Sequence, residues 1–246
     1  MSSVRRFVGW VMLGAVAAVA LTGCGTAFVD GGGTTSIDVD AAWLDDGRLI
    51  GVVTWGSSSC VPVAGDATLA DDGALAVTLE DPTASQACAA DRTARVTPVT
   101  VPDGVDPAQD VEVRVSYGDG AGQVVLAGAE GLAGPGGDTD GQPSAGWTSQ
   151  TGTFAYLTWG SSSCAPVVAD VAATGDAQVT LTFVDPDADR ACTIDVSPRA
   201  GLAEVSALTT AIGAQLVLSG DVFDAVTVPI VGEPAAAASA SPSASS

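Results

Sequence analysis

The sequence predicts an all-β protein that consists of two tandem, disulfide-bridged repeats of β-sandwich type. Adding 104 to a residue number carries Trp43 to Trp147 and Trp55 to Trp159, so a long segment of the chain occurs twice. Short segments alternate apolar with polar residues, and turns rich in glycine and aspartate separate them. Each copy also holds two cysteines that lie 28 residues apart. Short, regularly spaced strands with turn residues between them are typical of β-sandwich modules.

The composition excludes several classes of function. The 246 residues include no histidine and no lysine, and the formal net charge is -21. Binding to nucleic acid or to anionic lipid headgroups requires clustered lysine and arginine, so neither is expected. Without histidine the usual zinc-binding patterns fail, and no cofactor is expected.

The first 23 residues have the layout of an export signal. Arg5 and Arg6 precede an apolar run over residues 7–21, and small residues follow it. The stretch Leu21-Thr22-Gly23-Cys24 resembles the lipobox of bacterial lipoproteins. That resemblance implies cleavage after Gly23 and attachment of diacylglycerol to Cys24, which would hold the protein on the outer side of the cell membrane. An uncleaved anchor helix is the alternative, and it would leave the protein tethered outside the cell too.

The rest of the chain divides into five segments. We expect a flexible, lipidated tether over 24–35, because its glycines and threonines are typical of a flexible coil. The two repeats are predicted over 36–130 and 147–232. A glycine-rich linker over 131–146 should be an exposed hinge, and the Ala/Ser/Pro tail over 233–246 should be disordered.

The repeat without gaps extends over about 50 residues, as far as Cys88 and Cys192. Beyond that point the best match of letters places 123–126 (QVVL) opposite 215–218 (QLVL). The second copy is therefore predicted to be 12 residues shorter there than the first.

The cysteines indicate an oxidising compartment. With Cys24 assigned to the lipid, four cysteines remain, and no C-x-x-C pair is among them. A duplicated module most simply carries its own bridge, which favours Cys60–Cys88 and Cys164–Cys192 over the two other possible connectivities.

The most distinctive motif is Thr-Trp-Gly-Ser-Ser-Ser-Cys, which occupies 54–60 and again 158–164. A serine nucleophile needs a histidine or lysine base, and the chain has neither. We therefore expect a structural turn whose hydroxyls satisfy backbone groups and whose tryptophan packs in the core. The alternative is a loop that contacts a glycan or peptide. Its residues would be Trp55, Ser57, Ser58, Ser59, Trp159, Ser161, Ser162 and Ser163.

An acidic stretch at Asp185-Pro186-Asp187-Ala188-Asp189 begins like a calcium-binding loop. However, Arg190 stands where such a loop needs its turn glycine, and Val196 stands where it needs its last carboxylate. No metal site is predicted.

The paired GSSSC motifs, each with a downstream cysteine, are similar to those of uncharacterised envelope lipoproteins of high-GC Gram-positive bacteria, which implies no particular activity. The predicted function is a lipid-anchored, non-enzymatic protein that binds a cell-wall component, an extracellular component or another envelope protein. The alternatives are a secreted hydrolase that uses paired carboxylates and a solute-binding component of an uptake system.

Overall fold

β-strands make up the regular structure of the described part of the chain, which confirms the all-β prediction. The computed structural model describes residues 34–82, 87–187, 189–206, 208 and 210–235. The predicted signal, Cys24 and most of the predicted tether and tail lie outside these residues. Within them, no helix is long and apolar enough to cross a bilayer.

The first repeat comprises nine strands within the described residues, together with one 3-10 turn at Asp45–Gly47 between the second and third. They form an outer sheet in the order β1-β9-β8-β6-β4, with β5 also paired to β6, and an inner sheet in the order β2-β3-β7. The strands are β1 (Thr35–Ser36), β2 (Asp40–Leu44), β3 (Leu49–Gly56), β4 (Val63–Ala64), β5 (Thr68–Leu69), β6 (Leu75–Glu80), β7 (Thr93–Thr100), β8 (Val111–Tyr117) and β9 (Gly120–Leu126).

The second repeat has seven strands within the described residues. A single strand, β12, covers the positions of both β4 and β5, and no strand occupies the described positions equivalent to β1. Its sheet is continuous in the order β12-β13-β15-β16-β10-β11-β14, since β10 pairs with β16. The strands are β10 (Ser144–Trp147), β11 (Thr153–Gly160), β12 (Val168–Gly175), β13 (Gln178–Phe183), β14 (Ser197–Glu204), β15 (Gln215–Gly220) and β16 (Phe223–Val231).

The predicted shortening of the second repeat is wrong. β15 pairs in parallel with β13 and antiparallel with β16, just as β8 pairs with β6 and with β9. The segment 215–218 therefore corresponds to β8 and not to 123–126 in β9. The strand register shows the same correspondence. Leu75 and Val179 are equivalent positions, and they face Val113 on β8 and Leu216 on β15, respectively.

Each repeat encloses its own apolar core between an outer and an inner layer of strands. The alternation of β6 and β13 places every second residue inside, where Val77 and Leu181 are both almost fully buried. Trp43 lies in the first core and Trp147 in the second.

A third apolar core joins the two repeats. β3 and β11 read as continuous apolar runs because both of their faces are covered. On β3, Ile50 contributes to the core of the first repeat, whereas Val53 packs on the opposite face with Leu157 from β11. The close approach also explains Gly146, because a Cβ atom there would collide with the backbone carbonyl of Trp43.

Reciprocal hydrogen bonds connect the repeats beside this third core. The carboxylate of Asp40 accepts hydrogen bonds from Ser149 N–H at 3.1 Å and from the Gln150 side chain at 3.3 Å. At the positions related by 104, Ser144 Oγ accepts a hydrogen bond from Asp45 N–H at 2.8 Å. Position 40 of the first repeat is thus hydrogen-bonded to position 149 of the second. The equivalent of position 40, which is 144, is hydrogen-bonded to the equivalent of position 149, which is 45. This exchange of equivalent partners is the pattern of a two-fold symmetric dimer interface.

The predicted hinge is fastened to the first repeat. Ala133 N–H and Gly134 N–H donate to the Asp46 side chain and backbone carbonyl, respectively, at 3.1 and 3.0 Å. Thr139 Oγ1 donates to the Asp45 carboxylate at 2.9 Å. The last residues of the predicted linker, from Ser144, already belong to β10. The expectation of an exposed hinge over 131–146 therefore fails at Gly134 and at 144–146, which are buried or half-buried, although 136–140 are exposed.

The Asp40 contact predicts a measurable effect on stability. Replacing Asp40 by alanine should lower the free energy of unfolding by about 2 kcal/mol, because the buried N–H of Ala41 and the part-buried N–H of Ser149 lose a charged acceptor. The Ser144→Ala variant is the matched control, and it should lose about 1 kcal/mol because its bond is neutral. Urea denaturation monitored by tryptophan fluorescence measures both. Equal losses in the two variants would contradict the importance of the carboxylate.

Candidate functional site

The two disulfide bridges lie at corresponding ends of the two repeats. Cys60 is joined to Cys88 and Cys164 to Cys192, with Cα–Cα distances of 5.5 and 5.6 Å. This is the connectivity that the repeat favours. Each bridge joins the segment after the central strand, β3 or β11, to the segment before its neighbour, β7 or β14. In each repeat, the serine turn and the second cysteine therefore lie at the same end of these two neighbouring strands.

An arginine lies beneath each serine turn and holds it in place. Arg95 on β7 is 6% exposed, and its Nη1 donates to the backbone carbonyl of Cys60 at 2.7 Å. In the second repeat, Arg199 donates to the carbonyls of Cys164 and Trp159 at 2.8 and 2.9 Å. A guanidinium group suits this task because its rigid fork of donors can bind several carbonyls at once.

The glycine of the motif makes room for this guanidinium group. A Cβ atom at Gly56 would lie 2.6 Å from Arg95 Cζ, and one at Gly160 would lie 2.8 Å from Arg199 Cζ. Both distances are far below van der Waals contact. The Trp-Gly pair is thus explained by an arginine that lies flat on the peptide backbone.

The serine hydroxyls and one aspartate per repeat complete each turn. Ser59 Oγ accepts a hydrogen bond from Ala89 N–H at 2.9 Å, and Ser163 Oγ accepts one from Thr193 N–H at 3.0 Å. The carboxylate of Asp91 accepts a hydrogen bond from Ser58 N–H at 3.0 Å, and that of its counterpart Asp195 accepts one from Ser162 N–H at 3.3 Å. The hydroxyls therefore satisfy backbone groups, as the structural interpretation of the motif requires.

These hydrogen bonds act on the carboxylates that receive them. Donation by the Ser58 hydroxyl and N–H lowers the pKa of Asp91. Donation by Thr193, Ser162 and Ser197 lowers the pKa of Asp195 strongly. Because folding lowers both pKa values, the ionised carboxylates stabilise the turns above the ordinary aspartate pKa of about 4. That contribution is lost as the pH falls through the lowered values.

The tryptophans of the motif pack at the junction between the repeats. Trp55 and Trp159 are half-buried against the third core. Trp159 Nε1 also donates to the backbone carbonyl of Gln142 at 3.1 Å. The serines differ in accessibility. Ser57 and Ser161 are half-buried, whereas the following positions are exposed, namely Ser58, Ser59, Ser162 and Ser163.

The two repeats differ in what covers the arginine. In the first, the ring of Tyr117 lies 5.8 Å from Arg95 Cζ, and its hydroxyl donates to the Asp81 carboxylate. Burial, followed by that bond to Asp81, raises the pKa of Tyr117. The strand pairing places Gly220 at the position of Tyr117, because Leu79 faces Tyr117 and its counterpart Phe183 lies against Gly220.

No side chain can replace the tyrosine ring at Gly220. The backbone there has φ of +77°, and a Cβ atom would collide with the carbonyl oxygen of Phe183. The space above Arg199 is instead a surface groove of about 470 Å³. Arg199 is one of the two arginines that line this groove, and partial burial lowers the pKa of its guanidinium group. The lining includes Trp159, Arg190, Cys192, Arg199, Asp221 and Val222.

Exposed apolar side chains surround this end of the second repeat. Val184, Ile194, Val196 and Val222 are between 50% and 104% exposed. Ile194 and Val196 flank Asp195, which holds the serine turn, and Val222 lines the groove. The corresponding residues of the first repeat are Glu80, Ala90, Arg92 and Asp119. Three of those four are charged. We refer to residues 160–164, 184–187, 189–196 and 220–223 as the disulfide end of the second repeat.

Two of these features escaped the sequence analysis. Arg95 and Arg199 are related by the same shift of 104. Because the chain has only eight arginines, this repeated position was the signal that could have identified the pair. The loss of Tyr117 from the second repeat could be recognised only after β8 and β15 had been matched correctly.

A second cleft, of about 430 Å³, has acidic residues in its lining, among them Asp45, Asp46, Glu130 and Asp140. Two of these carboxylates are engaged in fastening the linker, because Asp45 accepts Thr139 Oγ1 and Asp46 accepts Ala133 N–H. Among the described residues, no group of three or more acidic or cysteine side chains is arranged to hold a metal ion.

Comparisons of the chain with models of known protein families, with characterised proteins and with solved structures find no match.

Proposed function

We propose that this chain is a lipid-anchored protein of the outer side of a bacterial cell membrane, and that it binds another envelope protein through the disulfide end of its second repeat. The anchor is the lipid expected on Cys24, since two acyl chains on one protein hold it stably in a bilayer. The two folded repeats would then stand outside the cell, where their disulfides persist.

The observation that carries the binding role is the asymmetry between the two repeats. Four solvent-facing positions are apolar in the second repeat and mostly charged in the first. On a chain with a net charge of -21, four exposed apolar residues at one end of a repeat, one of which lines the groove, stand out from their surroundings. Exposed apolar patches beside polar rims are typical of surfaces that bind proteins.

The hydrolase alternative has less support. Its acids would lie in the cleft that Asp45, Asp46, Glu130 and Asp140 line. Three of these four carboxylates, those of Asp45, Asp46 and Asp140, already accept hydrogen bonds from linker residues. Such contacts fit a structural role and would compete with catalysis.

Photo-cross-linking in intact cells tests the proposal. A photoreactive amino acid at position 196 should yield an adduct with an envelope protein. Introducing the residues of the first repeat, as Val184→Glu with Val222→Asp, should abolish the adduct because charges replace the apolar contacts. The Cys24→Ala variant should be released into the medium and lose the adduct as well.

A photoreactive residue at position 92, the counterpart in the first repeat, is the matched control and should give no adduct. Retention of the Cys24→Ala variant in the membrane fraction would refute the lipid anchor. An adduct that survives both charge substitutions would refute the binding surface.

A further inference from the structure

Arg199, which lines the groove, is the counterpart of Arg95, which the Tyr117 ring covers in the first repeat. We propose that the groove binds the phenol ring of a tyrosine that a partner protein presents, an inference that rests on the binding role proposed above. The first repeat thus serves as the template for the bound state of the second.

The template defines both contacts of the ring. In the first repeat, the face of Tyr117 lies 5.8 Å from Arg95 Cζ, which is within the range of a cation–π interaction. Its hydroxyl donates to Asp81. Both partners have counterparts in the second repeat. Arg199 donates to the carbonyl of Cys164 as Arg95 donates to that of Cys60, and Asp185 occupies the position of Asp81 in the sequence.

Arg199 lines the groove, and Asp185 lies at its border, next to Pro186 in the chain and hydrogen-bonded to Asp221, both of which line it. Gly220 stands where Tyr117 stands, and its backbone excludes any side chain. Asp185 accepts a hydrogen bond from Asp221 N–H at 3.2 Å, and its carboxylate can still accept a phenol hydroxyl. Trp159 and Val222 supply apolar contact in the same groove.

The tyrosine must come from another protein. The chain has two tyrosines, and both belong to the repeats themselves. Tyr156 is 6% exposed inside the second core, and Tyr117 is engaged with Arg95 and Asp81. A second copy of this chain therefore has no tyrosine to present.

A titration of the full chain with N-acetyl-tyrosinamide tests this site. Resonances of the Trp159 indole N–H and the Arg199 Nε–H should shift saturably, with a dissociation constant of about 1 mM for so small a probe. N-acetyl-phenylalaninamide should bind about 5–10-fold more weakly, because it lacks the hydroxyl that Asp185 accepts. The Arg199→Met variant should lose the shift of the Trp159 indole.

The first repeat provides a gain-of-function control. Replacing Tyr117 by alanine should open an equivalent groove above Arg95, so that the variant binds two molecules of the probe. The bound probe should also raise the melting temperature of that variant, which separates an open groove from misfolding.

Three results would overturn the proposal: no saturable shift at Trp159 in the folded protein, equal binding of the two probes, or binding that survives Arg199→Met. None of them bears on the membrane anchor. If the probe fails to bind but the cross-link at position 196 still forms, the partner surface stands and the tyrosine assignment is wrong.

Discussion

Replacing Cys60 and Cys88 by serine is expected to lower the free energy of unfolding by about 3–4 kcal/mol. The bridge closes a loop of 28 residues, and opening it restores that loop's conformational freedom to the unfolded chain. For a protein of this size, the loss corresponds to a decrease of about 10 °C in the melting temperature. Scanning calorimetry and urea titration measure the two quantities.

The Cys164→Ser, Cys192→Ser variant is the matched control, because its bridge also spans 28 residues. The two double variants should lose the same free energy within about 1 kcal/mol, since chain entropy depends on loop length alone. A change below about 1 kcal/mol in both would show that the unfolded chain already restricts these loops.

Arg95→Met is the second substitution with a large expected effect. We expect a loss of about 3 kcal/mol, because the variant leaves the carbonyls of Ser57 and Cys60 without their charged donor in a buried site. Methionine keeps most of the apolar volume, so the effect reports on the hydrogen bonds. Urea denaturation gives the loss in stability.

Arg199→Met separates burial from hydrogen bonding. Arg199 donates to the carbonyls of Cys164 and Trp159, but it is only half-buried beside an open groove, so water can take over the freed carbonyls. Its loss should be about 1 kcal/mol. If Arg199→Met proved as destabilising as Arg95→Met, the Tyr117 ring would have no role in protecting the first turn.

The sequence was sufficient for the parts of the fold that depend on spacing. The equal separations of Cys60–Cys88 and Cys164–Cys192 indicated the disulfide pairing, and the alternation in β6 and β13 indicated strands. The alternation of apolar and polar residues could not tell β8 from β9, because both strands of this hairpin show a similar pattern. The letters of 215–218 resemble β9, whereas their partners in the sheet are those of β8.

The candidate site depended on contacts that no local pattern contains. An arginine on a strand ordinarily points to solvent, and Arg95 is buried because the serine turn and the Tyr117 ring both cover it. In the same way, a continuous apolar run such as that of β3 is typical of a strand covered on both faces. It did not indicate that the second face meets β11.

The exchange of partners between positions 40, 45, 144 and 149 has a consequence for how the molecule could diversify. In a homodimer of one repeat, every substitution would occur in both halves. Two repeats joined in one polypeptide are free of that constraint, since each half can change while the shared interface is kept. One half can keep its tyrosine as an internal plug, and the other can lose the plug and offer the vacated space to a different molecule. Fusion thereby allows support and recognition to be divided between two copies of the same architecture.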